Sequence, residues 1–166
     1  MNAHYEHNVR VLRDREDYSD RHIRSLSYMH KQATSEGSLG RRPAGWLETI
    51  IYLGYGIGLA DDRDRIVGFS VVRPMGVDEN NDLVAYGECS LWRNDDYWED
   101  VRYALIDASK ACDAKHLWGA FFKTNHVANE FFEEYKRMSR GDAPFCIQRE
   151  LGHYREADIE YICLTI

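Results

Sequence analysis

The sequence predicts a single α/β domain, with its strands in one sheet and four helices packed against them. Three observations carry that expectation. Residues 83–135 follow the order strand, helix, strand, helix, a unit around which small α/β sheets are built. A hairpin pattern precedes this unit at residues 55–73, and a second hairpin pattern follows it to the end of the chain. The 166 residues suit one domain, and 44% hydrophobic residues with 13% aromatics supply enough apolar material for a core.

Taken in order, residues 1–7, with His4 and His7 close together, read as a frayed tail. Val9 and Val11 alternate within residues 7–12, which suggests a short first strand. Asp17 or Ser19 caps a helix whose apolar face is Ile23, Leu26, Met29 and Ala33. Residues 35–45 hold three glycines and Pro43 and form a loop. Trp46, Leu47, Ile50 and Ile51 recur at helical spacing, which predicts a second helix over residues 44–53. A strand over 55–60, the polar turn Asp61-Asp62-Arg63-Asp64 and a strand over 65–73 make the first hairpin. Residues 74–82 are a loop, and a long strand follows over 83–92. The helix over 96–112 places Trp98, Val101, Leu105, Ala108 and Cys112 on one face. A short apolar strand over 117–122 leads to a helix over 125–138, with Ala128, Phe131, Phe132, Tyr135 and Met138 together. Residues 139–144 form a loop, and strands over 145–150 and 158–166 flank a turn at 152–157. No domain boundary is evident, so residues 1–166 read as one unit.

The bulk composition narrows the function classes. A net charge of −7, from 28 acidic and 21 basic residues in a mixed pattern, lacks the basic stripe that phosphate-driven nucleic-acid binding needs. An acidic inhibitor or DNA mimic is one alternative to a plain solvated acidic surface. The four cysteines, at 89, 112, 146 and 163, form no CxxC pair and read as reduced, mostly buried thiols of a cytoplasmic-type protein. No clustered ligand set for a metal is visible in the spacing. No apolar run approaches the ~18 residues of a membrane span, and no signal-peptide core opens the chain, so no membrane partner is expected.

Two motifs add a resemblance. Asn125-x-x-Ala128-x-x-Phe131-Phe132-Glu133 follows a short apolar strand ending in Lys123-Thr124, and Ile66-Val67-Gly68-Phe69 follows a polar turn. In that order, within that succession of elements, they resemble the Gcn5-related N-acetyltransferase (GNAT) superfamily over nearly the whole chain. The resemblance implies one GNAT-like domain with a central mixed, mostly antiparallel sheet. It also implies acyl transfer from acetyl-CoA, or another acyl-CoA, to an amine.

The family's chemical parts map unevenly onto this chain. A carboxylate on the fourth strand takes the amine's proton, and Glu88 stands there, on a face with Tyr86 and Ser90. The plainer alternative for Glu88 is a strand residue with its carboxylate in solvent. A tyrosine on the last motif helix protonates the leaving thiolate, but Phe132 holds that position, which leaves Tyr135 as substitute or as a core tyrosine. His126 is a second candidate base, or a solvent-exposed first-turn histidine. By the same resemblance Leu91, Trp92, Arg93, Arg102 and Asn125 would line the cofactor site.

The family's glycine-rich pyrophosphate loop is replaced here by Arg93-Asn94-Asp95-Asp96-Tyr97-Trp98-Glu99-Asp100, and no glycine occurs between Gly87 and Gly119. Side chains at such positions block close backbone approach to a phosphate. Asp95, Asp96, Glu99 and Asp100 suit a helix N-terminus by ~0.3–1 kcal/mol each. They also repel an anion there, and only Arg93 and Arg102 offset them. Leu91-Trp92, the charged glycine-free helix start and Thr124-Asn125-His126 are similar in kind to small virion or head-assembly proteins of tailed bacteriophages with GNAT-like domains. That likeness implies a second role: a non-catalytic protein, located in a virion, acting on a protein partner through its surface.

Overall fold

A computed structural model of the chain describes residues 5–37, 39–152, 154–155 and 158–166. One six-stranded sheet runs β1 (Arg10–Leu12), β2 (Gly56–Ala60), β3 (Ile66–Val77), β4 (Leu83–Trp92), β5 (His116–Phe122) and β6 (Ile159–Thr165), in sequence order. Every neighbouring pair is antiparallel except β4 and β5. That exception follows from connectivity: α3 (Trp98–Ala111) joins β4 to β5 as a crossover, which returns the chain to the same end of the sheet. The other helices are α1 (Asp20–Ser35), α2 (Trp46–Tyr52), α4 (His126–Phe131) and α5 (Phe145–Glu150).

The helices cover both faces of the sheet. On one face, Leu26 of α1 and Leu47, Ile50 and Ile51 of α2 pack on Phe69, Val71, Cys89 and Leu91. Ile147 of α5 continues that layer over Tyr86, Trp118 and Tyr161. On the opposite face, Trp98, Val101, Ala104 and Ala108 of α3 pack on Leu59, Val67, Val72, Ala85 and Leu117. Val101 comes so close to β3 that a Cβ at Gly68 would stand 2.5 Å from its Cγ2, so only glycine fits there. The predicted N-cap of α1 is Ser19, whose Oγ accepts the His22 amide at 3.2 Å, while the Ser19 amide donates to His22 Nδ1.

Four segments depart from the sequence reading. Residues 145–150 form a helix, not a strand. Pro144 opens it, accepting the amides of Ile147 and Gln148 at 2.9 and 3.0 Å, and Ile147 and Leu151 recur at i, i+4 to bury against the sheet. The helix expected to reach Met138 stops at Phe131, because Met138 pairs with Tyr161 beside β6. Tertiary pairing overrides helix propensity there. Strand β3 continues past Arg73 to Val77. A register shift between Pro74 and Gly76 lets proline sit in the strand, and the turn is confined to residues 78–82. Residues 5–7 are anchored rather than frayed. His4, in the same expected tail, lies outside the described residues. So do Ser38 of the 35–45 loop and His153, Glu156 and Ala157 of the expected turn at 152–157.

The anchor of residues 5–7 is Asp100, in the first turn of α3 and fully buried. Its Oδ1 accepts the backbone amides of Glu6 at 2.6 Å and His7 at 3.3 Å, and its Oδ2 lies 2.6 Å from His7 Nδ1. Asp100→Ala removes all three contacts at once and leaves the Glu6 and His7 amides without that acceptor. We expect it to lower stability by about 1–3 kcal/mol in urea titration and to open the chain near Tyr5 to chymotrypsin. Wild-type resistance to cleavage in the variant would contradict this anchoring role.

Candidate functional site

The sheet comes apart at its centre. Pairing between β4 and β5 runs from Val84↔His116 to Gly87↔Gly119 and stops. Beyond that rung, among the described residues, β4 pairs only with β3 and β5 only with β6. A bulge starts the divergence: Val71 pairs with Cys89 and Val72 with Gly87, so Glu88 is the extra residue on β4. A bulge bends its strand and shifts the alternation of faces. Tyr86 and Glu88 therefore share the α2 and α5 face, whereas Ser90 turns to the α3 face. Ser90 Oγ lies there 3.4 Å from Ser70 Oγ, which reaches the Val101 carbonyl. The expected grouping of Glu88 with Ser90 is thus broken by a single inserted residue.

Between the parted strands lies a cleft of about 150 Å³. Trp92 and Trp98 wall it on one side, Ala120 and Phe122 on the other, and Phe132 and Asn125 close one end. Gly87 and Gly119 form its floor. A Cβ at either would come within 3.4–3.5 Å of Leu105 or Ile162, which line the same space. A second, wider groove of about 420 Å³ runs between α1 and the end of β4 and shares Leu39, Ser90, Trp92 and Asn125 with the cleft.

Glu88 is not in solvent. Its side chain is 9% exposed and faces two guanidinium groups. Arg73 bonds its Oε2 and also reaches Glu150 Oε1 at 2.5 Å; Arg42 Nε stands 3.4 Å from its Oε1. Burial works against the charge on Arg73, but Glu88 and Glu150 together hold its pKa above the ordinary arginine value.

The other expected site residues are divided. Trp92, Arg102 and Asn125 line the cleft. Asn125 Oδ1 accepts the Ala128 amide at 3.0 Å, so its carbonyl caps α4. Leu91 points the other way, into the core under α1 and α2. Arg93 lies at the wider groove, its Nε on the Ile66 carbonyl at 3.0 Å. Tyr135 is outside the cleft lining, with its ring against Phe132 and a hydrogen bond to Arg102. His126 is exposed in the first turn of α4 and lines neither cavity.

The four carboxylates at the start of α3 do not act together. Asp100 is turned inward to residues 6–7 and Glu99 is held by Arg102 at 2.6 and 2.8 Å. Asp95 accepts the Trp92 indole at 3.1 Å, and Asp96 is left exposed. Aromatic rings fill the space beside that first turn. Trp98 stacks on Phe131 with centroids 4.4 Å apart, and Trp92 and Phe132 meet it edge-on.

Two further groupings escaped the sequence. Arg42, Arg73 and Glu150 surround Glu88 from segments distant in the chain. Asp78, Asp82 and His116 bring one ligand atom each within 4.8 Å of one another, where the spacing had shown no clustered ligands; Asp82 is also paired with Lys115 at 2.9 Å. The four cysteines are free thiols, but only Cys89 is fully buried. No helix of the described residues is long and apolar enough to cross a membrane.

The fold matches solved structures. N-acetylglutamate synthase from Neisseria gonorrhoeae, complexed with coenzyme A and N-acetyl-glutamate, matches at 16% identity and a TM-score of 0.69, over 95% of this chain and 35% of that one. This chain therefore spans about a third of that protein's length. An acetyltransferase of the GNAT family from Staphylococcus aureus Mu50 matches at 13% identity and a TM-score of 0.64, over 95% of this chain and 99% of that one. A Gcn5-related N-acetyltransferase from Kribbella flavida matches at 14% identity and a TM-score of 0.61, over 95% and 98%. Neither a protein-family model nor a curated protein matches the sequence. At these identities the likeness establishes the fold: this chain has the GNAT fold.

Burial of Cys89 on the cleft wall pushes its thiol pKa up to about 12. A thiol that stays protonated and covered does not alkylate. With iodoacetamide at pH 8, peptide mass spectrometry should find the three half-buried cysteines modified in the native protein and Cys89 only after denaturation. Modification of Cys89 at the rate of the others would show that this wall opens.

Proposed function

We propose that this GNAT-fold protein is an N-acyltransferase that moves an acyl group from acyl-CoA to an amine, with Glu88 as the base. The observation that carries the reading is the split between β4 and β5, with a buried carboxylate at the bulge that opens it. Main-chain groups of the parted strands are released from pairing there and are available to an extended, amide-bearing arm such as pantetheine. Trp92, Trp98, Phe132 and Asn125 would hold that arm. Acyl-CoA would supply a thioester carbonyl: the amine nitrogen bonds to the acyl carbon, the carbon–sulfur bond breaks, and the thiol leaves with a proton. Glu88 would accept the ammonium proton, directly or through water, as Arg42 gives up its contact with Oε1. Arg102 brings a cation to the cleft lining, with Glu99 against it.

The start of α3 does not provide the family's phosphate grip. It has no glycine, Asp96 is exposed, and Trp98 and Phe131 are stacked where bare backbone would be needed. Arg93 and Arg102 are the cations nearest in sequence to that turn, and Glu99 already holds Arg102. This supports weak or phosphate-independent binding of the donor. It also favours a second reading, a non-catalytic GNAT-fold protein of the bacteriophage virion type that acts through a protein partner. An acidic inhibitor or DNA mimic has only the net charge of −7 in its support.

Calorimetry with CoA separates the two readings. For the first, CoA at 100 times its dissociation constant adds ~2.7 kcal/mol and raises the melting temperature by about 5–10 °C for a chain of this size. Glu88→Gln should keep that binding and slow acyl transfer by about 10²–10⁴-fold, measured as thiol release from acetyl-CoA. No heat at millimolar CoA would leave the second reading in its place.

A further inference from the structure

Arg42 is the one cleft-lining arginine whose side chain has a buried nitrogen without a hydrogen bond among the described residues. It belongs to the connection between α1 and α2, and its side chain is 21% exposed. Its Nε is an ion contact away from Glu88 Oε1, at 3.4 Å, and donates to nothing. Its Nη1 reaches only the neighbouring Arg41 carbonyl, at 3.4 Å, and its guanidinium lies over the Trp46 ring, 5.2 Å from the centroid. Arg73 differs, since it bonds two carboxylates. Arg42 therefore keeps donor capacity beside Glu88 that no acceptor among the described residues takes up. Gly40 lets the Arg42 and Tyr154 side chains pack close to the backbone there. A Cβ there would stand 2.7 Å from Tyr154 Oη and 3.1 Å from Arg42 Nη1.

The cleft wall thus presents a guanidinium and a carboxylate side by side. A zwitterion has the complementary pair, a carboxylate and an ammonium separated by one carbon. The planar guanidinium fork matches a carboxylate in two hydrogen bonds, which a simple amine or a peptide N-terminus would leave unmade. Tyr86, Tyr154, Leu39 and Leu151 line the same part of the cleft and offer apolar and aromatic surface.

We infer that the acceptor is a free α-amino acid with an apolar or aromatic side chain, its carboxylate held by Arg42 and its amine by Glu88. This rests on the acyl-transfer reading and names the acceptor class of that site. Arg42 is a binding residue here, and the exchange of its Glu88 contact for the ligand carboxylate frees Oε1 for the amine.

The test compares L-phenylalanine and L-leucine with their carboxamides and with phenethylamine, by saturation-transfer NMR and calorimetry, with and without CoA. The acids should bind the wild-type protein at least about tenfold more tightly than the amides. Arg42→Gln should bring the acids to the level of the amides, and Arg42→Lys should keep only part of the preference, since it retains the charge and loses the fork. Equal binding of acid and amide to wild type, no binding of either, or a preference that survives in Arg42→Gln overturns the inference. The wild-type comparison needs no variant, so a folding defect cannot stand in for a result. CoA that gives no heat while acids still outbind amides sinks acyl transfer and leaves the carboxylate site. CoA that binds while acids and amides are alike does the reverse.

Discussion

The extra residue at Glu88 is the constraint on which the rest of this molecule depends. Strand β4 keeps its pairing with β3 along its length and still parts from β5 after a single rung of glycines. A regular strand could carry its pairing on to Ser90, opposite Phe122 at the end of β5, and close the cleft. The carboxylate stays on the α2 and α5 face with Tyr86, where Arg42 and Arg73 meet it, and the bulge turns Ser90 away to the α3 face. One inserted residue therefore marks where the strands part and separates Glu88 from Ser90.

The charges around the cleft are not where the stability of the domain lies. Arg42, Arg73, Glu88 and Glu150 balance to zero, and partly burying such ions costs roughly what their attraction returns. Apolar side chains would hold the same helices to the sheet at no such cost. The energy of the domain lies instead in its two apolar layers, with fully buried Phe69, Leu26 and Ile51 on one face and Val67 and Val101 on the other. Each large aliphatic or aromatic side chain so buried contributes about 1.5–3 kcal/mol.

Periodicity made the sheet and the first three helices legible, because apolar residues at spacing two or three-to-four decide burial wherever a layer is continuous. It failed where partners from elsewhere decide. Phe145 and Ile147 alternate as a strand would, but β6 already had β5 on one side and Met138 on the other, so residues 145–150 covered the sheet as a helix. Among the residues lining the cleft, Glu88, Trp92, Arg102 and Asn125 were legible because each sits on a regular element or its cap. Arg42 was not, because it lies in a loop of glycines and its relation to Glu88 exists only in three dimensions. Leu91 was misplaced by the same bulge that opened the site, since a strand read as regular puts alternate residues on the wrong face after it.

The two halves of the proposed site would depend on sequence in different ways. Gripping a pantetheine-like arm needs only that two strands part, and main-chain groups then do the binding, so many side chains around the cleft are compatible with it. Gripping a phosphate at a helix start needs the absence of side chains, and Trp98, with its stack on Phe131, removes that condition. The same stack packs α3 against α4 and so braces the far wall of the cleft. A change that restored bare backbone at residue 98 would therefore loosen the wall it was meant to complete. That coupling separates architecture from chemistry here: the fold keeps the cleft, and aromatic packing, not a glycine loop, holds it in shape.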